Sequence, residues 1–145
     1  MTDAPPWKVA HKIFHWGIAL CITLDAFLLE DAAHRWIGYA ALVFVISRLT
    51  FGWFVSTPTR PNFLAKLVYV SIWTLIVFLA VTGWAMGLDE YWGEEWLENL
   101  HSQLSNVLLG LIFIHLAGLL LDALYFRRNS WKRMIPFLCY VIIIC

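Results

Sequence analysis

The chain has 145 residues, of which 61% are hydrophobic and 14% are charged, and its formal net charge is zero. Soluble globular domains carry about 25% charged residues, so this composition, with a mean hydropathy of +0.73, excludes that class. We expect no nucleic acid among its partners. We therefore expect one membrane-embedded domain that is surrounded mainly by lipid.

Apolar segments long enough to cross a bilayer recur along the chain and predict an all-α integral membrane four-helix bundle. A polar tail, residues 1–7, precedes the bundle domain, residues 8–133. A last apolar stretch, residues 134–145, is too short to span and contains Pro136, so we expect it in the membrane interface or against a partner. The helices are expected at residues 8–29, 34–54, 64–88 and 100–126.

The bases are distributed unevenly about these helices. If the N-terminus is cytoplasmic, nine of the ten Lys and Arg residues lie on inner segments and Arg35 alone lies outside. Because the inner loops of membrane proteins are rich in Lys and Arg, both termini are expected in the cytoplasm. The outer loops then carry carboxylates at Glu30, Asp31, Asp89, Glu90, Glu94, Glu95 and Glu98.

The fourth helix has a histidine near each end of its apolar face. The fourteen residues from His101 to His115 turn the helix by about 1,400°, close to four full turns, so both side chains share a face about 21 Å apart. The predicted topology places His101 outside with His34 of helix two, and His115 inside with His15 of helix one. Because a haem iron takes two axial ligands, two layers of two histidines predict two haems. The alternative is that these histidines hydrogen-bond neighbouring helices or relay protons.

Other side chains are candidates for contacts with the cofactors. Arg48 follows His34 by the same fourteen-residue offset, so it reaches the inner level and either pairs with a haem propionate or snorkels to the surface. Arg35 is a weaker candidate for the same role. Trp16 either packs on a haem edge or belongs to the interfacial aromatic belt. His11 is interpreted as a surface or quinone-site residue.

Several of these segments resemble the prokaryotic cytochrome b561 family, which includes the b-type subunits of nickel-iron hydrogenases and stand-alone dihaem cytochromes. The resemblance covers residues 7–133. It implies two b haems, one held by His15 and His115 and the other by His34 and His101. The loop between helices two and three departs from the family, because it is short and lacks a Gly-His-Asn-Pro segment. The matching runs are HKIFHW, HRWIGYA, SRLTFGW and LHSQLSNVLLGLIFIHLAG.

The resemblance implies a multi-pass electron-transfer protein of the bacterial inner membrane. Its partners would be the quinone pool and a periplasmic c-type cytochrome, dehydrogenase or hydrogenase subunit, and a homodimer is compatible with the sequence. One alternative is a stand-alone superoxide:quinone oxidoreductase, for which Arg35 is the only outer base to attract the anion. Another is a non-haem bundle that conducts protons or is purely structural. No catalytic residue is assigned.

Overall fold

A computed structural model of the chain describes residues 6–27, 31–54 and 63–125. The predicted all-helical fold is confirmed, but the tail predicted at 134–145 and most of the tail predicted at 1–7 lie outside these ranges. The described residues form α1 (Pro6–Phe27), α2 (Asp31–Phe54), α3 (Phe63–Ala85) and α4 (Glu95–Leu124), with a short 3-10 helix, Asp89–Tyr91, between α3 and α4.

The helices α1, α2 and α4 begin earlier than their apolar runs. Pro6 opens α1 at a position where the missing N–H costs nothing. The first turn of α4 contains Glu95 and Glu98, and carboxylates interact favourably with the positive end of a helix dipole. α3 ends at Ala85, three residues before the predicted end, and Gly93, with a φ of 78°, supplies the left-handed turn that leads into α4.

The helices pack in chain order, α1 against α2, α2 against α3, and α3 against α4. Leu108 lies seven residues from both His101 and His115, so it is about 10 Å from each along α4. The core is therefore at mid-depth between the two histidines of that helix. This core contains Ile18, Cys21, Ala41, Val45, Ile76 and Leu108.

The outward faces of the helices are apolar. Phe78, Phe113 and Leu120 are all more than half exposed, as expected where lipid covers the surface. Within the described ranges, two segments are long and apolar enough to cross a membrane, Lys66–Ala85 in α3 and Glu95–Leu124 in α4. α1 and α2 are less apolar, because charged residues and histidines interrupt them.

Candidate functional site

Two pairs of histidine rings face each other across the bundle. His15 of α1 and His115 of α4 have ring centroids 6.3 Å apart, with the ring planes at 60°. His34 of α2 and His101 of α4 have centroids 6.1 Å apart, with the planes at 72°. We call these the inner pair and the outer pair, after the topology that the bases predict. They are the same partners that the sequence predicts.

Both separations suit an iron atom held between two imidazoles. A metal–nitrogen bond of about 2.0 Å and a nitrogen-to-centroid distance of about 1.1 Å, taken on both sides of the metal, place the centroids about 6.2 Å apart. The observed values of 6.3 and 6.1 Å agree with this figure. The ring planes, at 60° and 72°, are compatible with two imidazoles that would hold one iron between them.

Hydrogen-bond acceptors lie next to the Nδ1 atoms of the outer pair and orient the two rings. The acceptors beside His34 belong to Asp25. Nδ1 of His34 lies 3.4 Å from the main-chain carbonyl oxygen of Asp25, and this contact has hydrogen-bond geometry. The same nitrogen lies 3.1 Å from the Asp25 carboxylate, at Oδ1. Since both oxygens are acceptors, the neutral ring carries its proton on Nδ1 and leaves Nε2 available to a metal.

Thr82 of α3 plays the corresponding role for His101. The hydroxyl oxygen of Thr82 lies 2.8 Å from Nδ1 of His101. The hydroxyl donates to the main-chain carbonyl of Phe78 at 2.9 Å, with a second contact to that of Leu79 at 3.1 Å. Because its one proton is committed to the helix backbone, the oxygen accepts from His101, whose Nε2 is then the free ligand.

A cavity of about 510 Å³ adjoins the outer pair, within the range of cofactor-sized sites of about 300–1,000 Å³. It is lined by both histidines and by small residues that leave space beside them. A Cβ on Gly83 would lie 3.4 Å from Cε1 of His101, so a larger residue there would press on that ring. Arg35 also lines the cavity and is exposed, and its guanidinium approaches Gly87.

Aromatic rings surround the inner pair. The Tyr69 ring centroid lies 5.6 Å from that of His115, and the half-exposed Trp16 meets His15 edge-on at 5.8 Å. The Arg48 guanidinium carbon lies 6.0 Å from the ring centroid of Trp73, within cation–π range. The charge of Arg48 is also close enough to act on His15. The sequence-predicted candidates Arg48 and Trp16 therefore gather at one histidine pair.

Three residues in these contacts are not predicted from the sequence. Asp25 carries a signal that could have found it, because a carboxylate inside an apolar helix marks a functional position. Thr82 and Tyr69 carry no such signal, since threonine and tyrosine are common in apolar helices. Both come from α3, the helix without histidine, and reach the site only through its packing against α4.

An apolar helix bundle that holds two opposed pairs of histidines, with Nε2 of the outer pair left available to iron, has the ligand set of a membrane b-type cytochrome. The family model described as prokaryotic cytochrome b561 matches residues 6–137. The chain therefore belongs to the prokaryotic cytochrome b561 family and is a membrane b-type cytochrome of electron transfer that binds haem. Comparison with curated proteins and with solved structures gave no match.

Proposed function

We propose that this chain is a dihaem cytochrome of the bacterial inner membrane that transfers electrons between a periplasmic redox partner and the quinone pool. The observation that carries the proposal is the presence of two opposed histidine pairs that share α4. The two levels are about 21 Å apart along α4, against a hydrocarbon core about 30 Å thick. Redox centres at these levels would lie near opposite membrane surfaces, with both termini in the cytoplasm.

The ligands favour electron transfer over bond chemistry. Haem supplies one-electron exchange when it is bound. His15 and His115 would hold one haem and His34 and His101 the other, and a haem held by two histidines would serve electron transfer. Arg48 and Arg35 are proposed to bind haem propionates, because a guanidinium matches a carboxylate in fork geometry.

The acidic segment, residues 89–98, is proposed to receive the periplasmic partner. Its carboxylates at Asp89, Glu90, Glu94 and Glu95 are exposed, and Trp92 of the same segment lines the outer cavity. A basic surface, such as that of a c-type cytochrome, would be attracted to this end of the bundle. The proximity of the segment to the cavity supports entry of electrons at the outer pair.

Quinone is proposed to react on the inner side. An apolar groove of about 260 Å³ lies between α2 and α3 and is lined by Leu49, Trp73, Thr74 and neighbouring valines. Trp73 also contacts Arg48, which links this groove to the inner level. A lipid-facing apolar groove with one hydroxyl suits a quinone, which arrives through the membrane.

Vesicles test whether electrons cross the bilayer along this path. The purified protein is reconstituted with ferricyanide trapped inside, and reduced cytochrome c is added outside. The wild-type chain should oxidise the external cytochrome, whereas His101→Ala and His115→Ala should each fall to the rate of protein-free vesicles, because either change removes one end of the path. Transfer at the wild-type rate in both variants would contradict the proposal.

A superoxide:quinone oxidoreductase is the second candidate, and the position of Arg35 favours it. This exposed guanidinium lines the outer cavity and could attract an anion to it. The reaction would oxidise superoxide to oxygen at the outer haem and reduce quinone elsewhere. Quinone reduction driven by a superoxide-generating system, and lowered in Arg35→Gln, would establish it. If superoxide does not drive quinone reduction but cytochrome c is still oxidised, the superoxide reaction is excluded and the first proposal stands.

A further inference from the structure

The two histidine pairs have electrostatically different surroundings. A carboxylate, that of Asp25, lies 3.1 Å from the ring of His34 in the outer pair. Aromatic rings flank the inner pair, and the nearby charge there is the positive guanidinium of Arg48. In the outer pair a carboxylate therefore contacts a ligand ring directly. The guanidinium of Arg35 also lines the outer cavity, but it is exposed, so solvent screens its charge.

The Asp25 carboxylate has little else to compensate its charge. Its Oδ1 is buried, and its 3.1 Å contact with Nδ1 of His34 does not have hydrogen-bond geometry. Its Oδ2 faces the backbone of α2 at Gly38, where a Cβ would come within 3.7 Å. A buried carboxylate is costly unless a positive charge or hydrogen-bond donors accompany it. A ferric haem held by His34 and His101 would supply the positive charge that this carboxylate lacks.

A ferric haem with two neutral imidazole ligands has one more positive charge at its iron than the ferrous form. A carboxylate near the Nδ1–H of a ligand histidine stabilises that charge and makes the imidazole a stronger donor through Nε2. Both effects favour the oxidised state. Arg48 acts in the opposite direction on the inner pair, because a nearby cation favours the reduced state.

We propose that Asp25 acts through His34 as a positioning residue that stabilises ferric haem at the outer pair and makes this site the lower in reduction potential. An electron that enters at the outer pair then comes to rest at the inner pair. This inference rests on the proposed two-haem arrangement and adds to it a direction, from outside to inside, that is set by the chain's own side chains.

Redox titration of the purified holoprotein tests this role. The wild type should titrate in two one-electron steps, and Asp25→Asn should raise the lower midpoint potential. We expect about a tenfold change in the ratio of ferric to ferrous haem, which corresponds to ~59 mV for a one-electron couple. Asp122→Asn is the matched control, because Asp122 lies twenty-one residues beyond His101 on α4, about 30 Å away.

The same substitution in a His115→Ala background isolates the outer haem, so that a single wave reports its potential directly. Asp25→Glu keeps the charge and should stay close to the wild type. Three results would overturn the role of Asp25. The first is an Asp25→Asn variant that keeps two haems with both potentials unchanged, and the second is an equal shift in Asp122→Asn. The third is loss of the outer haem from both Asp25→Asn and Asp25→Ser. A wild-type chain with fewer than two haems would instead overturn the proposed function.

Discussion

At the scale of single residues, the contact that Nδ1 makes in each outer histidine leaves Nε2 as the nitrogen that can bind iron. The Nδ1 atoms of His34 and His101 face Asp25 and Thr82, so Nε2 of each ring is left available to a metal. The histidines themselves are predictable, because their spacing along α4 and the distribution of bases assign them partners. Their orienting residues are not, since each contact depends on the rotation of another helix.

The hydroxyl of Thr82 can be removed almost without change of shape. In Thr82→Val the Nδ1–H of His101 loses its acceptor, and we expect about tenfold weaker retention of the outer haem, the lower end of the loss typical for orienting residues. Transfer of haem to apomyoglobin, followed optically, measures this retention. Thr23→Val is the control, because this exposed threonine also donates its hydroxyl proton to a carbonyl of its own helix. Equal haem loss in the two variants would show that Thr82 does not orient a haem ligand.

At the scale of elements, α4 is the helix that both histidine pairs share. Its apolar run predicts its existence, but its start at Glu95 depends on how carboxylates stabilise a helix N-terminus, which hydropathy does not show. The short turn before it brings α4 against α3, and this packing places Gly83 beside His101. The space for the outer site therefore depends on a glycine whose importance the sequence does not reveal.

Filling that space should displace the ligand. A Cβ at Gly83 already reaches 3.4 Å from the His101 ring, so the added methyl groups of Gly83→Val should move the ring and remove the outer haem. The haem content of the purified variant measures this. Gly110→Val is matched in residue type, and a Cβ there meets nothing within 4 Å, so it should keep both haems. Full haem content in Gly83→Val would show that the ring needs no such space.

At the scale of the whole molecule, the chain is acidic at one predicted membrane face and basic at the other. Composition and charge distribution predict a membrane bundle with this asymmetry, and the resemblance in its histidine-bearing segments predicts the family that the comparison confirms. They do not predict the cavity beside the outer pair or the carboxylate of Asp25 beside His34. Those features arise from contacts between helices that are distant in sequence.

The acidic face can be tested by removing charge without changing size. The triple substitution Glu94→Gln, Glu95→Gln and Glu98→Gln should slow oxidation of reduced cytochrome c by roughly tenfold at low ionic strength, because electrostatic steering is lost. At high salt the variant and the wild type should converge, since salt screens exposed charges. Asp122→Asn serves as the control. Equal rates at low salt would exclude this segment as the docking surface.

The ratio of haem to polypeptide tests the central claim most directly. Pyridine haemochrome analysis of the purified wild-type chain should give two b-type haems per chain. His101→Ala and His115→Ala should each retain one, and the two remaining haems should differ in midpoint potential, because each variant empties a different pair. One haem or none in the wild type, or the same remaining haem in both variants, would contradict the two-layer arrangement.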